Sequence, residues 1–222
     1  MTDVTNILLN STNAALIIFS AAAAFAGVFT KSPMIRLAAG LAAVAASLCI
    51  PISLRSLFEW TVSAVERPSF PGFVLLIIVA VSAITGWRVE KQGEFRFATL
   101  VLAVAGLALY PAATGFLNAD PYVIGYSGYL LPAAVTLVIA YALWRTYFIT
   151  ALALNIAIAA FLLDAGTSRN LWDYLMDPVA WIIGCGTWIA LAAGFLNKRM
   201  APAKVLEPDQ PSSGIGETPI SH

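Results

Sequence analysis

The sequence predicts an all-α membrane protein, a bundle of seven transmembrane helices with one amphipathic helix at the membrane surface. Hydrophobic residues make up 60% of the 222 residues and charged residues only 11%, whereas about a quarter of the residues in a soluble domain are charged. Most of the charged residues lie in the connections between long apolar runs. Runs of this length can cross a hydrocarbon core about 30 Å thick at about 1.5 Å per helical residue.

Seven apolar runs define the predicted spans, and we expect residues 1–200 to form one polytopic bundle. The last run is the clearest, because it follows Asp177 and Pro178, and an Asp-Pro pair before an apolar stretch is a strong signal for the start of a helix. The predicted spans cover residues 7–30, 37–53, 71–87, 97–117, 129–144, 147–163 and 178–197.

Both ends of the chain carry local signals. Residues 1–6 contain an acid and no base, whereas a secretory signal opens with a positively charged region. The first apolar run is therefore predicted to be a retained membrane helix. Residues 201–222 are rich in Pro, Ser and Gly and have no apolar period, so we expect them to form a disordered cytoplasmic tail.

Residues 54–67, between the second and third spans, have a different pattern. Leu54 and Leu57 begin an apolar stripe at helical spacing, and Arg55 and Glu59 lie on the other side. This pattern predicts an amphipathic helix that lies on the membrane surface, in which Arg55 and Glu59 are spaced to pair. We interpret this helix as a connector between spans; a gate or a docking element for a partner is the alternative.

Basic residues are distributed asymmetrically between the two sides of the predicted bundle. Nine of the 12 Lys and Arg residues lie in the connections after the first, third and fifth spans and after the seventh. Because basic loops stay in the cytoplasm, this distribution predicts that the N-terminus lies outside and the C-terminus lies in the cytoplasm. The predicted location is the bacterial inner membrane, which the chain crosses several times.

Two of the predicted spans carry small residues at every fourth position. A stripe of this kind lets another helix approach closely, and helix association in lipid depends on such contact. The predicted packing residues are Gly186, Ala190 and Gly194 in the last span and Ala38, Ala42 and Ala46 in the second. A neighbouring stripe of Ala39, Ala43 and Ser47 also suits the packing of the first two spans against each other.

The connections on the predicted outer side are acidic and aromatic. One interpretation is a site for a cation or a small polar ligand, and its residues are Asp120, Tyr122, Tyr126, Arg169, Asp173 and Asp177. Asp173 and Asp177 would share one face of a short helix, being four residues apart. The alternative is structural: Arg169 pairs with Asp173, and Asp177 caps the seventh span.

Ionisable side chains are missing from the middle of every predicted span, although proton-coupled and ion-coupled transporters commonly place them there. Asn155 is the one amide at mid-depth, where it would make an interhelical hydrogen bond or bind a substrate. Cys49 and Cys185 lie inside apolar runs and His222 is the only histidine, so we expect no cofactor and no metal. The formal net charge of zero likewise argues against a nucleic-acid partner.

These patterns favour a non-enzymatic membrane protein that is an embedded subunit or scaffold of a larger assembly. Its partners would be the lipid bilayer and either another membrane protein or further copies of the same chain. Two alternatives stay open. The first is a facilitative transporter or channel for a small neutral or apolar solute, with Asn155, Tyr110 and Tyr141 along its path. The second is a membrane enzyme that acts at the outer interface through Asp173 and Asp177.

Overall fold

The computed structural model of the chain describes residues 3–65, 68–86, 91–113, 120–126, 128–165 and 168–200. The predicted tail at 201–222 lies outside these residues, as do Glu66 and Arg67 and the ends of the predicted spans 71–87 and 97–117. Over the described residues the chain is mostly helical, with one short hairpin. The all-α class predicted from the sequence is therefore confirmed.

The helices follow one another closely along the chain. They are α1 (Asp3–Phe29), α2 (Pro33–Cys49), α3 (Leu57–Ala64), α4 (Phe70–Thr85), α5 (Gln92–Ala113), α6 (Leu130–Trp144), α7 (Phe148–Leu162), α8 (Trp172–Leu175) and α9 (Pro178–Met200). The strands β1 (Pro51–Ile52) and β2 (Arg55–Ser56) pair antiparallel, and a short 3-10 helix covers Pro121–Gly125.

Three helices are long and apolar enough to cross a membrane, which indicates a membrane protein. Their apolar segments are Ile7–Phe29 in α1, Gly93–Ala112 in α5 and Pro178–Asn197 in α9. The helices α2, α4, α6 and α7 are also apolar but have 15 to 17 residues. At about 1.5 Å per residue they are roughly 22 to 26 Å long, which is shorter than a hydrocarbon core of about 30 Å.

Helix α4 lies at the centre of the packing. It contacts α1 and α2 on one side and α7, α8 and α9 on the other. Helix α5 packs along α9, and α6 packs against α7. The buried apolar cluster lies mainly between α5, α6, α7 and the segment around α8. Large apolar side chains also cover much of the outer surface of the helices, as expected where lipid surrounds them.

The segment predicted as an amphipathic helix over 54–67 begins instead with the hairpin of β1 and β2. Helix α2 ends at Cys49, because Pro51 disfavours a helical conformation at the residue before it. The hairpin turn places Ser53 at a φ of +61° and leaves Leu54 99% exposed at the tip. The helix in this region is α3, which starts at Leu57 and is shorter than predicted.

Helix α3 begins where a capping box forms. The Ser56 hydroxyl accepts from the Glu59 N–H at 3.2 Å, and the Ser56 N–H donates to the Glu59 carboxylate at 2.7 Å. The Ser56 backbone bond, followed by the hydroxyl bond and the nearby Arg55 charge, lowers the pKa of Glu59. Arg55 donates to the Ser63 hydroxyl at 3.3 Å, and its charge also acts on the Glu59 carboxylate, with which it was predicted to pair.

The packing of α1 against α2 uses a different face from the one predicted by Ala38, Ala42 and Ala46, which are exposed. The neighbouring predicted stripe is the less exposed one, since Ala39 and Ala43 are partly buried and Ser47 is buried; Gly40 is the other buried residue of α2. A Cβ atom at Gly40 would lie 2.5 Å from the Phe19 ring, so a larger residue there would require the ring to move. Both faces of α2 are rich in small residues, and the position of α1 decides which one is covered.

The predicted stripe of Gly186, Ala190 and Gly194 is likewise exposed, and space is open where a Cβ would lie at either glycine. The close contact of α9 is made by Gly184, where a Cβ would lie 2.8 Å from the Thr99 carbonyl oxygen and 3.0 Å from the Ala103 nitrogen of α5. Within the described chain, α9 thus packs through Gly184. The packing of the Gly186 stripe against a helix stays a prediction, and that helix would belong to another chain.

One arginine joins two helix ends. The Arg36 guanidinium donates to the Thr30 carbonyl at 2.8 and 3.0 Å and to the Ala83 carbonyl at 3.3 Å. These carbonyls lie at the C-terminal ends of α1 and α4, where a positive charge is favourable. The partner of Arg36 on α4 is 47 residues away, so the sequence alone identifies Arg36 only as a basic residue of the connection after the first span.

Candidate functional site

The outer-side residues predicted as a ligand site form a hydrogen-bonded cluster between the 3-10 helix and the segment before α9. The Tyr122 hydroxyl donates to the Asp173 carboxylate at 2.9 Å, and the Ser168 hydroxyl donates to the same carboxylate. The Tyr126 ring meets the Tyr122 ring edge-on at 5.4 Å. Burial, and then the bond to Asp173, raises the pKa of Tyr122. Asp120 accepts from the Tyr122 N–H at 3.0 Å and caps the 3-10 helix.

Asn170 organises this cluster, and the sequence analysis did not single it out. Its side chain is fully buried. The amide donates to the Tyr122 carbonyl and accepts from the Trp172 N–H, both at 3.0 Å. Gly125 packs directly against Asn170 and leaves no room for a Cβ atom. An Asn before a short helix is a signal for a local backbone bond, but its bond to Tyr122 depends on tertiary structure.

Trp172 completes the connection between the two segments. Its indole N–H donates to the Pro121 carbonyl at 2.9 Å, and the neighbouring Leu171 N–H donates to the Gly125 carbonyl at 2.9 Å. Most of the polar groups of the cluster therefore bind one another. Such an arrangement fixes the loops in place, and the exposed carboxylates of the cluster are those of Asp120 and Asp173.

Asp177 belongs to a separate contact. Its carboxylate is 4% exposed and accepts from the Ala180 N–H at 2.8 Å, which caps α9. The same carboxylate accepts from the Ser69 N–H at 3.0 Å and the Ser69 hydroxyl at 2.6 Å, at the start of α4. It packs against Gly72, where a Cβ atom would collide with it.

The two carboxylates therefore have different roles, and the structural alternative describes Asp177 correctly. Helix α8 ends at Leu175, so Asp173 and Asp177 do not share one helical face. Arg169 is exposed, and among the described residues Asp173 is bound by the hydroxyls of Tyr122 and Ser168 rather than by Arg169. A paired acid and base at this site, as an enzyme would need, receives no support from this geometry.

Asn155 lies on the outer surface of α7 rather than between helices. Its side-chain N–H donates to the Ala151 carbonyl of the same helix at 2.8 Å, and the residue is exposed. Tyr110 packs against Trp181 at 4.8 Å between ring centres, while Tyr141 packs against Phe97 at 5.1 Å. The three residues proposed to line a transport path thus have different neighbours.

A cleft lies between α4, α5 and α7. Its walls are almost entirely apolar, and Glu94 is the single ionisable residue among them. Glu94 is 5% exposed, and its carboxylate accepts from the Thr150 N–H at 2.9 Å. This bond takes the place of a side-chain cap on α7, because the N-cap residue Tyr147 makes none.

The face of α1 that points into the bundle carries further buried polar groups. Asn13 is fully buried and Ser20 is 5% exposed. The side-chain polar atoms of both residues, and Oδ1 of Asn10, meet no hydrogen-bonding group of the described chain. Buried amides of this kind are uncommon in folded proteins. This burial is not evident from the sequence, because Asn10 and Asn13 stand at the two ends of the polar stretch 10–13.

Comparison of the chain with protein-family models, with curated proteins and with solved structures finds no match. No three His, Cys, Asp or Glu side chains come together as a metal site within the described ranges. The function must therefore be argued from the surfaces and contacts described above.

Proposed function

We propose that the chain is a non-enzymatic, multi-pass subunit of a larger membrane assembly. In this proposal the open face of α9, formed by Gly186, Ala190 and Gly194, contacts a transmembrane helix of a neighbouring subunit. The observation that carries the proposal is that this face is exposed along a helix long enough to cross a membrane. The neighbour is either another membrane protein or a second copy of the chain.

The two sides of α9 support this assignment. On one side Gly184 brings the backbone of α5 within contact distance. On the other side Gly186 and Gly194 have open space, and Ile182 and Ile189 are 64% and 69% exposed. Helices in lipid associate by close backbone approach, and small residues at intervals of four permit it. The face of Gly186 also carries small residues at intervals of four, but no described part of the chain packs against either of its glycines.

Asn155 supports the same function from another helix. Its carboxamide lies on the exposed surface of an otherwise apolar helix, where it bonds only to its own backbone among the described residues. A carboxamide that faces lipid lacks strong hydrogen-bonding partners. A neighbouring subunit can supply one, because amide side chains commonly bond across helix pairs in membranes.

The proposal includes seven spans, with the N-terminus outside. Contacts between the connections support this topology. At one end Arg36 joins α1 and α4, and Lys91 donates to Thr146 at 2.9 Å. At the other end Asp177 joins α4 and α9. Each helix between them then runs from one end to the other. The shorter helices complete their crossing with the residues that flank them.

Cysteine labelling tests the topology. Tyr129 is 90% exposed at the predicted outer end of the fifth span, and Met34 is 72% exposed in the predicted inner turn. In a background in which Cys49 and Cys185 are replaced by serine, we expect Tyr129→Cys to react with an impermeant maleimide added to intact cells. Met34→Cys should react only after the membrane is opened. Reversed reactivity would overturn the orientation, and labelling of both positions from outside would overturn the odd number of predicted spans between Met34 and Tyr129.

The mass of the protein extracted from membranes in mild detergent tests the subunit role. We expect the wild type to run as an assembly well above the 23.5 kDa of one chain, and Gly186→Leu to release the single chain because the larger side chain keeps the helices apart. Leu137→Trp is the control, since Leu137 is 71% exposed on α6, away from this face. A wild type that is already monomeric, or a Gly186→Leu variant that stays assembled, would contradict the proposal.

A further inference from the structure

The cleft between α4, α5 and α7 has the lining of a site for an acyl chain. Its apolar walls include Val74 and Ile78 from α4, Ala98 and Leu102 from α5, and Ala153 from α7. Helices α4 and α5 both lie near α7, and the cleft is enclosed by these three helices. From Glu94 to Leu102 it follows about 12 Å of α5, at about 1.5 Å per residue. A flexible hydrocarbon chain fits such a surface.

Glu94 gives the cleft one charged end. The Thr150 N–H bond uses one oxygen of the carboxylate, whereas an ionised carboxylate can accept about four hydrogen bonds. Within the described residues this is the one bond that Glu94 makes. A carboxylate that is 5% exposed is costly without a cation or further donors. A ligand that carries an ammonium group would supply both.

Basic residues lie close to this end of the cleft. Lys91 is one helical turn before Glu94 and donates to Thr146 at 2.9 Å. Arg145 lies over the Tyr147 ring at 5.9 Å, beside the first residues of α7. Both basic side chains are exposed. A ligand with only a positive charge would be repelled by them, whereas a headgroup with an ammonium next to a phosphate matches one buried acid and two exposed bases.

We propose that this cleft binds a membrane lipid whose headgroup carries a primary ammonium next to a phosphate, as in phosphatidylethanolamine. The ammonium binds Glu94, the phosphate faces Lys91 and Arg145, and one acyl chain lies along α4, α5 and α7. The site is independent of the subunit role, because it uses neither the open face of α9 nor Asn155.

Native mass spectrometry of the purified full-length chain in detergent tests the proposal. Phosphatidylethanolamine and phosphatidylcholine with the same acyl chains are titrated separately. Phosphatidylcholine keeps the positive charge but has no N–H donors. We expect the wild type to bind phosphatidylethanolamine roughly tenfold more tightly, because a hydrogen bond to a charged group has about this effect. Equal binding of the two lipids by the wild type would overturn the proposal.

Two variants locate the site. Glu94→Gln keeps an oxygen that can accept the Thr150 N–H and removes only the charge. The ratio of the two lipid affinities should therefore fall to about one, within the spread of such measurements. Ala98→Trp fills the apolar part of the cleft and should weaken the binding of both lipids. A lipid preference that persists in Glu94→Gln, or unchanged binding by Ala98→Trp, would place the lipid elsewhere and overturn the proposal. If a variant fails to fold, the comparison of the two lipids on the wild type still decides.

Discussion

Gly184→Leu should disrupt the bundle, whereas Gly186→Leu should leave the single chain folded. At Gly184 even a Cβ atom would lie 2.8 Å from the Thr99 carbonyl oxygen and 3.0 Å from the Ala103 nitrogen. These are backbone atoms and cannot turn away as a side chain can, so α5 and α9 must separate along their shared interface. Overpacking of a close contact costs about 1–3 kcal/mol, and more where the backbone must move. We expect a loss of about 3 kcal/mol.

Gly186→Leu is the matched control, since it makes the same substitution two residues further along the same helix. Space is open around Gly186 in the chain, and Leu favours a helix over Gly by somewhat less than about 1 kcal/mol. The unfolding free energy of the dissociated chain should therefore stay the same or rise slightly. Thermal melting of both variants in one detergent, at a concentration where the wild type is dissociated, measures the difference. Equal destabilisation by the two substitutions would mean that α5 does not pack on the Gly184 face.

Asp177→Ala should destabilise the protein far more than Asp173→Ala. Removing the Asp177 carboxylate leaves the Ser69 N–H, the Ser69 hydroxyl and the Ala180 N–H without their acceptor. Leaving one buried donor unsatisfied costs about 1–3 kcal/mol, and the loss of a helix cap costs about 1 kcal/mol. We expect a total loss of about 3 kcal/mol, and a smaller loss for Asp177→Asn because the amide oxygen can still cap α9.

Asp173 provides the comparison within the same segment. It is exposed, and its donors Tyr122 and Ser168 can turn towards water when the carboxylate is removed. Asp173→Ala should therefore cost less than about 1 kcal/mol, as substitutions outside buried networks usually do. Chemical or thermal unfolding of the three variants in the same detergent is the measurement. A larger loss for Asp173→Ala than for Asp177→Ala would contradict the separation of the two carboxylates into an exposed contact and a buried cap.

The helical class and several helix ends follow from the sequence alone. An apolar content of 60% with 11% charged residues predicts a protein that lies in lipid. In lipid the backbone groups must bond to one another, and a helix satisfies its own. The start of α9 is predicted by Asp177 and Pro178, because capping depends on residues within one turn. Pro51 marks the end of α2 for the same reason, although the apolar run predicted a helix as far as residue 53.

The choice between two similar helix faces depended on tertiary structure. Small residues recur on both sides of α2 and α9, and their spacing alone predicts the stripes of Ala38 and Ala39 in α2 and of Gly186 in α9. The stripes of Ala38 and Gly186 are exposed, the Ala39 stripe is partly buried, and the close contacts are made by Gly40 and Gly184. The composition of a helix shows that a close approach is possible. Which face is approached depends on where the neighbouring helix lies, and nothing in the local sequence encodes that position.

For the charged residues, too, one property follows from the sequence and another depends on the tertiary structure. Their clustering between apolar runs was visible in the sequence, and it predicted where the connections lie. Their partners were not visible, because Glu94 bonds to Thr150 56 residues away and Asp177 bonds to Ser69 108 residues away. Local chemistry determined where helices start and end, since capping and proline act within a few residues. Only the tertiary structure decided which buried acid would cap a distant helix, because that bond forms only after the helices have packed.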